Sequence, residues 1–208
     1  FSPSLRGHFF VPFPPDGAPP DDVQARLSNN SYPSIPTTTV HEAYPGHHWH
    51  LVTMKAHPSP VRQTFRSAYF TEGWALYAEQ MMREQGFFTD PRQALCQYEA
   101  MLFRAARIVV DTSLHLGEMT FEEAVGFMRE RANLPEPTAR AEVGRYTSWP
   151  TQAAAYLTGC LEILRLRERW LGGRGTGDVE ALRRFHDRLA GGGGLPLALA
   201  ERALFTEP

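Results

Sequence analysis

A proline-glycine pair interrupts the run His41-Glu42-Ala43-Tyr44-Pro45-Gly46-His47-His48, and it limits what the chain can build there more than any other feature. Proline removes a backbone donor and clashes with the preceding turn, while glycine tolerates the positive φ of a bulge. An undistorted helix therefore does not run through this stretch. Two histidines at i and i+4 share a helical face and can share a metal, but the residue four on from His41 is Pro45. The next histidines come six and seven residues on. Six residues on lies roughly 120° off the first face, and seven returns to that face but about 10 Å along the axis. The pair predicts a bulge at Tyr44 to Gly46 that lets a later histidine drop back onto the ligand position. His47 needs the smaller loop-out, and His48 stays the alternative.

A catalytic zinc ion takes three protein ligands of the His/His/carboxylate kind and keeps one position open for water. His41 with His47 or His48 supplies two of them, and Glu42, beside the first, is placed to take a proton from that water. The third is sought downstream in Tyr69-Phe70-Thr71-Glu72-Gly73-Trp74-Ala75-Leu76-Tyr77. A glutamate among so many apolar side chains is either an exposed helix residue or a buried carboxylate that needs a counter-charge. Glu79, seven residues further on the same face, either hydrogen-bonds a ligand histidine or faces solvent. Four histidines in ten residues, His41, His47, His48 and His50, also fit a polar surface patch. From the residues alone these alternatives stay open.

The 208 residues suffice for one sizeable core. A net charge of -2 without a dense Lys/Arg run speaks against a nucleic-acid partner, and no apolar run approaches the roughly 18 to 20 residues of a membrane span. The first residue is Phe rather than Met, which predicts a piece of a longer protein whose N-terminal region contacts this one; localisation stays open. Cys96 and Cys160 read as small buried hydrophobes.

Residues 1–36 are Pro-rich and predict an extended arm, with a short edge strand over Gly7 to Phe13 and a turn of helix near Asp21 to Leu27. Residues 37–208 predict one helical domain. Thr37 to Thr39 offer N-cap hydroxyls, and Ser59-Pro60 opens a short helix. Ala68 to Gln85 forms a longer one closed by Gly86. Asp90-Pro91 opens the next, with Leu95, Tyr98, Leu102, Ala105 and Val109 at helical spacing and Gly117 at its end. Thr120 to Glu123 is a capping box. Ser148 with Pro150 opens a helix through Tyr156, Cys160 and Leu164 to Trp170. A further helix spans about Val179 to Leu189, and Pro196 can start the last. The class is all-α with an irregular N-terminal arm.

His-Glu-Ala-x-Pro-Gly-His-His followed by Thr-Glu-Gly-Trp-Ala-x-Tyr-Ala-Glu resembles the motifs of a bacterial family of unknown function, itself similar to the gluzincin zinc metallopeptidases. The resemblance continues through Arg104 to His115, Glu142 to Tyr146, Pro150 to Gly159 and Phe185 to Asp187. Thr151 departs from it, standing where glycine is common, with no consequence for the chemistry. The resemblance implies a multi-helix catalytic domain of gluzincin type binding Zn2+ through His41, His47 and Glu72, with Glu42 as general base. It implies hydrolysis of peptide bonds. Non-peptide amides or esters are the alternative substrates, and a non-catalytic metal-binding module is the alternative function. For the group that meets the developing oxyanion, Tyr156 is the first candidate and Arg145 the second. Asp111 or His115, on one face with Arg104 and Arg107, is a candidate support for a metal ligand.

Overall fold

The middle turns of one helix, Ala68–Glu84, bury seven consecutive residues from Gly73 to Glu79. A helix covered all round lies at the centre of its domain, and the rest of the chain packs about this one. The computed structural model of the protein describes residues 6–11, 13–29 and 31–206. Among them are eleven helices and no strand: α1 Pro20–Asn29, α2 Ile35–Glu42, α3 His47–Lys55, α4 Pro60–Thr64, α5 Ala68–Glu84, α6 Pro91–Leu116, α7 Phe121–Ala132, α8 Glu136–Ser148, α9 Ala155–Leu171, α10 Val179–Gly191 and α11 Leu197–Thr206. The fold is all-α. No helix among the described residues is long and apolar enough to cross a membrane.

Helices α5 and α9 make the closest pairing. A Cβ on Gly73 would fall 2.7 Å from the Gly159 Cα, and one on Gly159 would overlap the Tyr69 carbonyl oxygen. Two glycines thus let the backbones touch, and Phe70, Trp74, Tyr77, Ile163, Leu166 and Phe185 fill one core around the crossing. A second core joins α6, α7 and α8 through Val110, Val125, Met128, Val143 and Tyr146. Helix α2 packs against both α5 and α6, which brings the histidine motif to the seam between the cores.

Local signals placed most helix ends. Asp90 and Thr120 both form capping boxes, Gly117 closes α6 in the left-handed region, and Asp178 caps α10 through the Ala181 N–H; each such cap contributes about 1 kcal/mol. Five expectations are corrected. The expected edge strand over Gly7 to Phe13 has no regular secondary structure in its described residues, with no neighbouring strand among the described residues to pair it; Pro12 lies outside them. The helix in the arm is ten residues long rather than one turn, and α2 starts at Ile35 with Pro36 in its first turn, so Thr37 to Thr39 are helical rather than caps. Ser148 ends α8 instead of opening α9, which begins only at Ala155; between them Thr151 adopts φ +68°. A β-branched residue is strained there and glycine is not. Finally, Leu95, Tyr98, Leu102 and Val109 are exposed, while α6 buries Gln97, Arg107 and Asp111 along with Ala106 and Val110.

Candidate metal centre

Helix α2 ends at Glu42 and α3 begins at His47, so the expected bulge within one helix is a clean break of four residues between two helices. Its closure depends on Gly46, though not through a positive φ: the value is -75°. A Cβ at residue 46 would overlap the carbonyl oxygens of Val40 and His41, so only glycine lets α3 start against the end of α2. The break is held from α5, where Trp74 donates its indole N–H to the Pro45 carbonyl at 2.9 Å. The result brings the His41 and His47 rings to 4.8 Å, edge to face.

His41, His47 and Glu72 can each offer one ligand atom within 4.8 Å of the others. His47 Nε2 lies 3.3 Å from Glu72 Oε2, close to the roughly 3.4 Å between ligand atoms around a tetrahedral zinc bound at about 2.0–2.2 Å. The donor set fits zinc. Glu79 is fully buried and accepts the His41 Nδ1–H at 2.7 Å. That bond fixes the tautomer, leaving Nε2 of His41 to a metal. Arg104 donates to the same Glu79 oxygen at 3.2 Å and supplies the buried carboxylate's counter-charge. The α6 residue that supports His41 is therefore Arg104, acting through Glu79. Asp111 and His115 instead pair with each other. At Glu72 burial pushes the carboxyl upward, but its hydrogen bond to His47 and the charges of His47, His41 and Arg107 outweigh burial, so its pKa stays below the ordinary range.

The remaining histidines separate. His48 is exposed, beside Gly7 of the arm, and is not in the cluster. His50 turns into the core at 1% exposure, against the rings of Phe70 and Trp74, with neither ring nitrogen hydrogen-bonded among the described residues. Burial, with the charges of His47 and Arg66, lowers its pKa to about 3.

Glu42 is exposed at a cavity of about 280 Å³ between α2 and α6. Thr37, Thr38 and His41 line it from α2, and Phe103, Arg104 and Arg107 from α6. Cys96, free and half-buried, also lines it; Cys160 is free and fully buried. Tyr156 reaches the same space from α9, its hydroxyl accepting from Gln152 Nε2 at 3.2 Å. Arg145 is not among the cavity-lining residues. It donates to Gln152 and to Glu142, and so steadies the residue that holds Tyr156. A second, more apolar groove of about 530 Å³ meets the first at Glu42, between Ile35 and arm residues Phe9, Phe10 and Val11. Sequence reasoning treated Arg107 as part of a charged stripe and passed over Phe103. Their i, i+4 spacing put them on one face, but nothing local showed that the face was turned inward.

A family profile described as "Bacterial protein of unknown function (DUF885)" matches residues 2–204. The chain is also similar to the crystal structure of a "putative lipoprotein" from Colwellia psychrerythraea, at 39% identity and a TM-score of 0.78 over 84% of this chain. A "putative lipoprotein of unknown function" from Shewanella oneidensis aligns at 28% identity and a TM-score of 0.83 over 95% of this chain. The alignments cover 30% and 36% of those longer chains. No curated protein matches.

Proposed function

The chain belongs to the DUF885 family of bacterial proteins of unknown function, and we propose that it carries the catalytic centre of a zinc-dependent hydrolase of peptide bonds, of gluzincin type. The observation that carries this reading is the convergence of His41, His47 and Glu72, with His41 oriented by buried Glu79 and with Glu42 next in sequence at an open cavity. An isolated surface histidine patch has no use for a fully buried carboxylate, with an arginine paired to it, behind one of its rings. Zinc held by these ligands supplies Lewis acidity and lowers the pKa of water toward about 7.

The side chains do the rest. Glu42 accepts a proton from the attacking water and returns it to the leaving nitrogen, so its carboxylate ends as it began. Tyr156, whose hydroxyl oxygen already accepts from Gln152, keeps its own O–H to donate to the substrate carbonyl oxygen as negative charge builds there. Arg145 maintains that geometry through Gln152 without touching the substrate.

Glu42→Gln keeps the shape of the side chain and removes the base. In the full-length protein it is expected to retain zinc and lose about 10²- to 10⁴-fold in kcat on a peptide panel. Undiminished turnover would remove Glu42 from the mechanism. Zinc retained without hydrolysis of any peptide, amide or ester by the parent would leave a non-catalytic metal module instead.

A further inference from the structure

We infer that Arg107 selects substrates bearing a carboxylate close to the scissile bond, a reading that rests on the hydrolase assignment above. The Arg107 guanidinium lies between two cavity-lining rings, 4.0 Å from the Phe103 centroid and 4.8 Å from that of Tyr156. Its Nε donates to the Tyr146 hydroxyl at 3.0 Å and Nη2 to Glu142 at 2.9 Å. These bonds occupy one edge of the fork. Nη1 has no hydrogen-bond partner among the described residues, yet Arg107 is only 7% exposed.

Charge counting around the cavity points the same way. Arg104 is matched by Glu79, but Glu142 serves both Arg107 and Arg145 and also accepts from the Tyr146 hydroxyl. Glu142 thus divides its charge between two guanidinium groups and neutralises Arg107 only in part. A buried cation close to two aromatic rings, with an unused donor edge, suits planar recognition of a carboxylate better than of a neutral carbonyl. Thr37 adds a hydroxyl on the same cavity, 5% exposed and without a hydrogen-bond partner. The space is somewhat below the range of about 300–1,000 Å³ common for small-molecule sites, which suits a residue or two of peptide. Arg107 lines the same cavity as His41, Glu42 and Tyr156, so an anion it holds sits near the reacting bond.

A chain terminus and an acidic side chain present the same chemistry, and the test separates them. Short peptides made as free acids and as C-terminal amides, and with Glu or Gln beside the cleaved bond, are compared with the full-length zinc-loaded protein. Binding to the Glu42→Gln form is measured calorimetrically, and kcat/KM is measured with the parent. A carboxylate-bearing member of one pair is expected to bind about ten-fold or more tighter than its amide partner. The pair that shows this identifies the source. In Arg107→Gln the ratio is expected to fall toward one, and Arg107→Lys, which keeps charge but not the fork, to retain part of it. A binding ratio that survives while no peptide is cleaved keeps the carboxylate site and removes the hydrolase reading. Equal binding of acid and amide in every pair overturns the inference. So does an Arg107→Gln form that weakens both members equally, because that is the signature of a purely structural arginine.

Discussion

The wall of the cavity that carries His41 and Glu42 is positioned by backbone, whereas the wall that carries Arg107 and Tyr156 is positioned by side chains of α8 and the turn that follows it. On the first, a four-residue break between α2 and α3 seats His47 beside His41, and the key contacts are the Gly46 backbone against two carbonyl oxygens and the Pro45 carbonyl on Trp74. On the second, Glu142 and Tyr146 of α8 hold Arg107 of α6, and Gln152 holds Tyr156 of α9. Backbone geometry is unforgiving: a shift of the α3 start moves His47 outright. A side-chain network yields by degrees. Metal binding should accordingly be brittle toward changes at the break, and substrate preference graded toward changes in the network.

The largest effect is expected from Gly46→Ala. The added methyl meets backbone rather than a mobile side chain, so α3 must move. The variant is expected to lose about 3 kcal/mol or more of stability and more than about 100-fold in zinc affinity, read by chemical denaturation and competitive chelation. A near-parental affinity would show that the break is looser than its geometry says. Next comes Glu79→Gln. It preserves shape but leaves the half-buried Arg104 charge without its carboxylate, and an amide no longer fixes the His41 tautomer. Zinc affinity is expected to fall about 10- to 100-fold with the fold intact. An unchanged affinity would make Glu79 a bystander.

The smallest effect separates the buried histidine from the histidines of the cluster. The pKa of His50 is about 3 in the folded protein against 6.5 for an ordinary histidine, so the unfolded chain binds the extra proton between those values. Its contribution is intact above pH 6.5 and is lost as pH falls through the window, by up to about 1.4 kcal/mol per unit. His50→Leu removes that liability. In urea unfolding of the metal-free protein, the variant's advantage should widen by about 2 kcal/mol between pH 7 and pH 5. A pH-independent gap would show that His50 finds a partner for its charge.

The same contrast explains what could be read before the fold was known. Capping boxes at Asp90 and Thr120 and the terminating Gly117 are local, and the helices they bound emerged nearly as expected. The break was legible as a discontinuity because Pro45-Gly46 forbids a helix through it, although the role of Gly46 is close approach and not positive φ. Choosing His47 over His48 needed the Trp74 and Glu72 contacts, which lie a helix away. The inverted face of α6 was not legible at all. Leu95 and Leu102 recur at helical spacing yet are exposed, and the face of Arg107 and Asp111 is buried, because partners on α8 and α9 decide which side faces in. Helix α8, low in apolar residues, gave no periodic signal of its own.

The central claim is that His41, His47 and Glu72 together hold one zinc ion. It is tested most directly by zinc stoichiometry and affinity in the full-length protein, in His47→Ala and in His48→Ala, measured side by side by elemental analysis and chelator competition. One tightly held zinc in the parent and in His48→Ala, with none retained by His47→Ala, is the predicted result. Zinc retained by His47→Ala, or lost from His48→Ala alone, would contradict it.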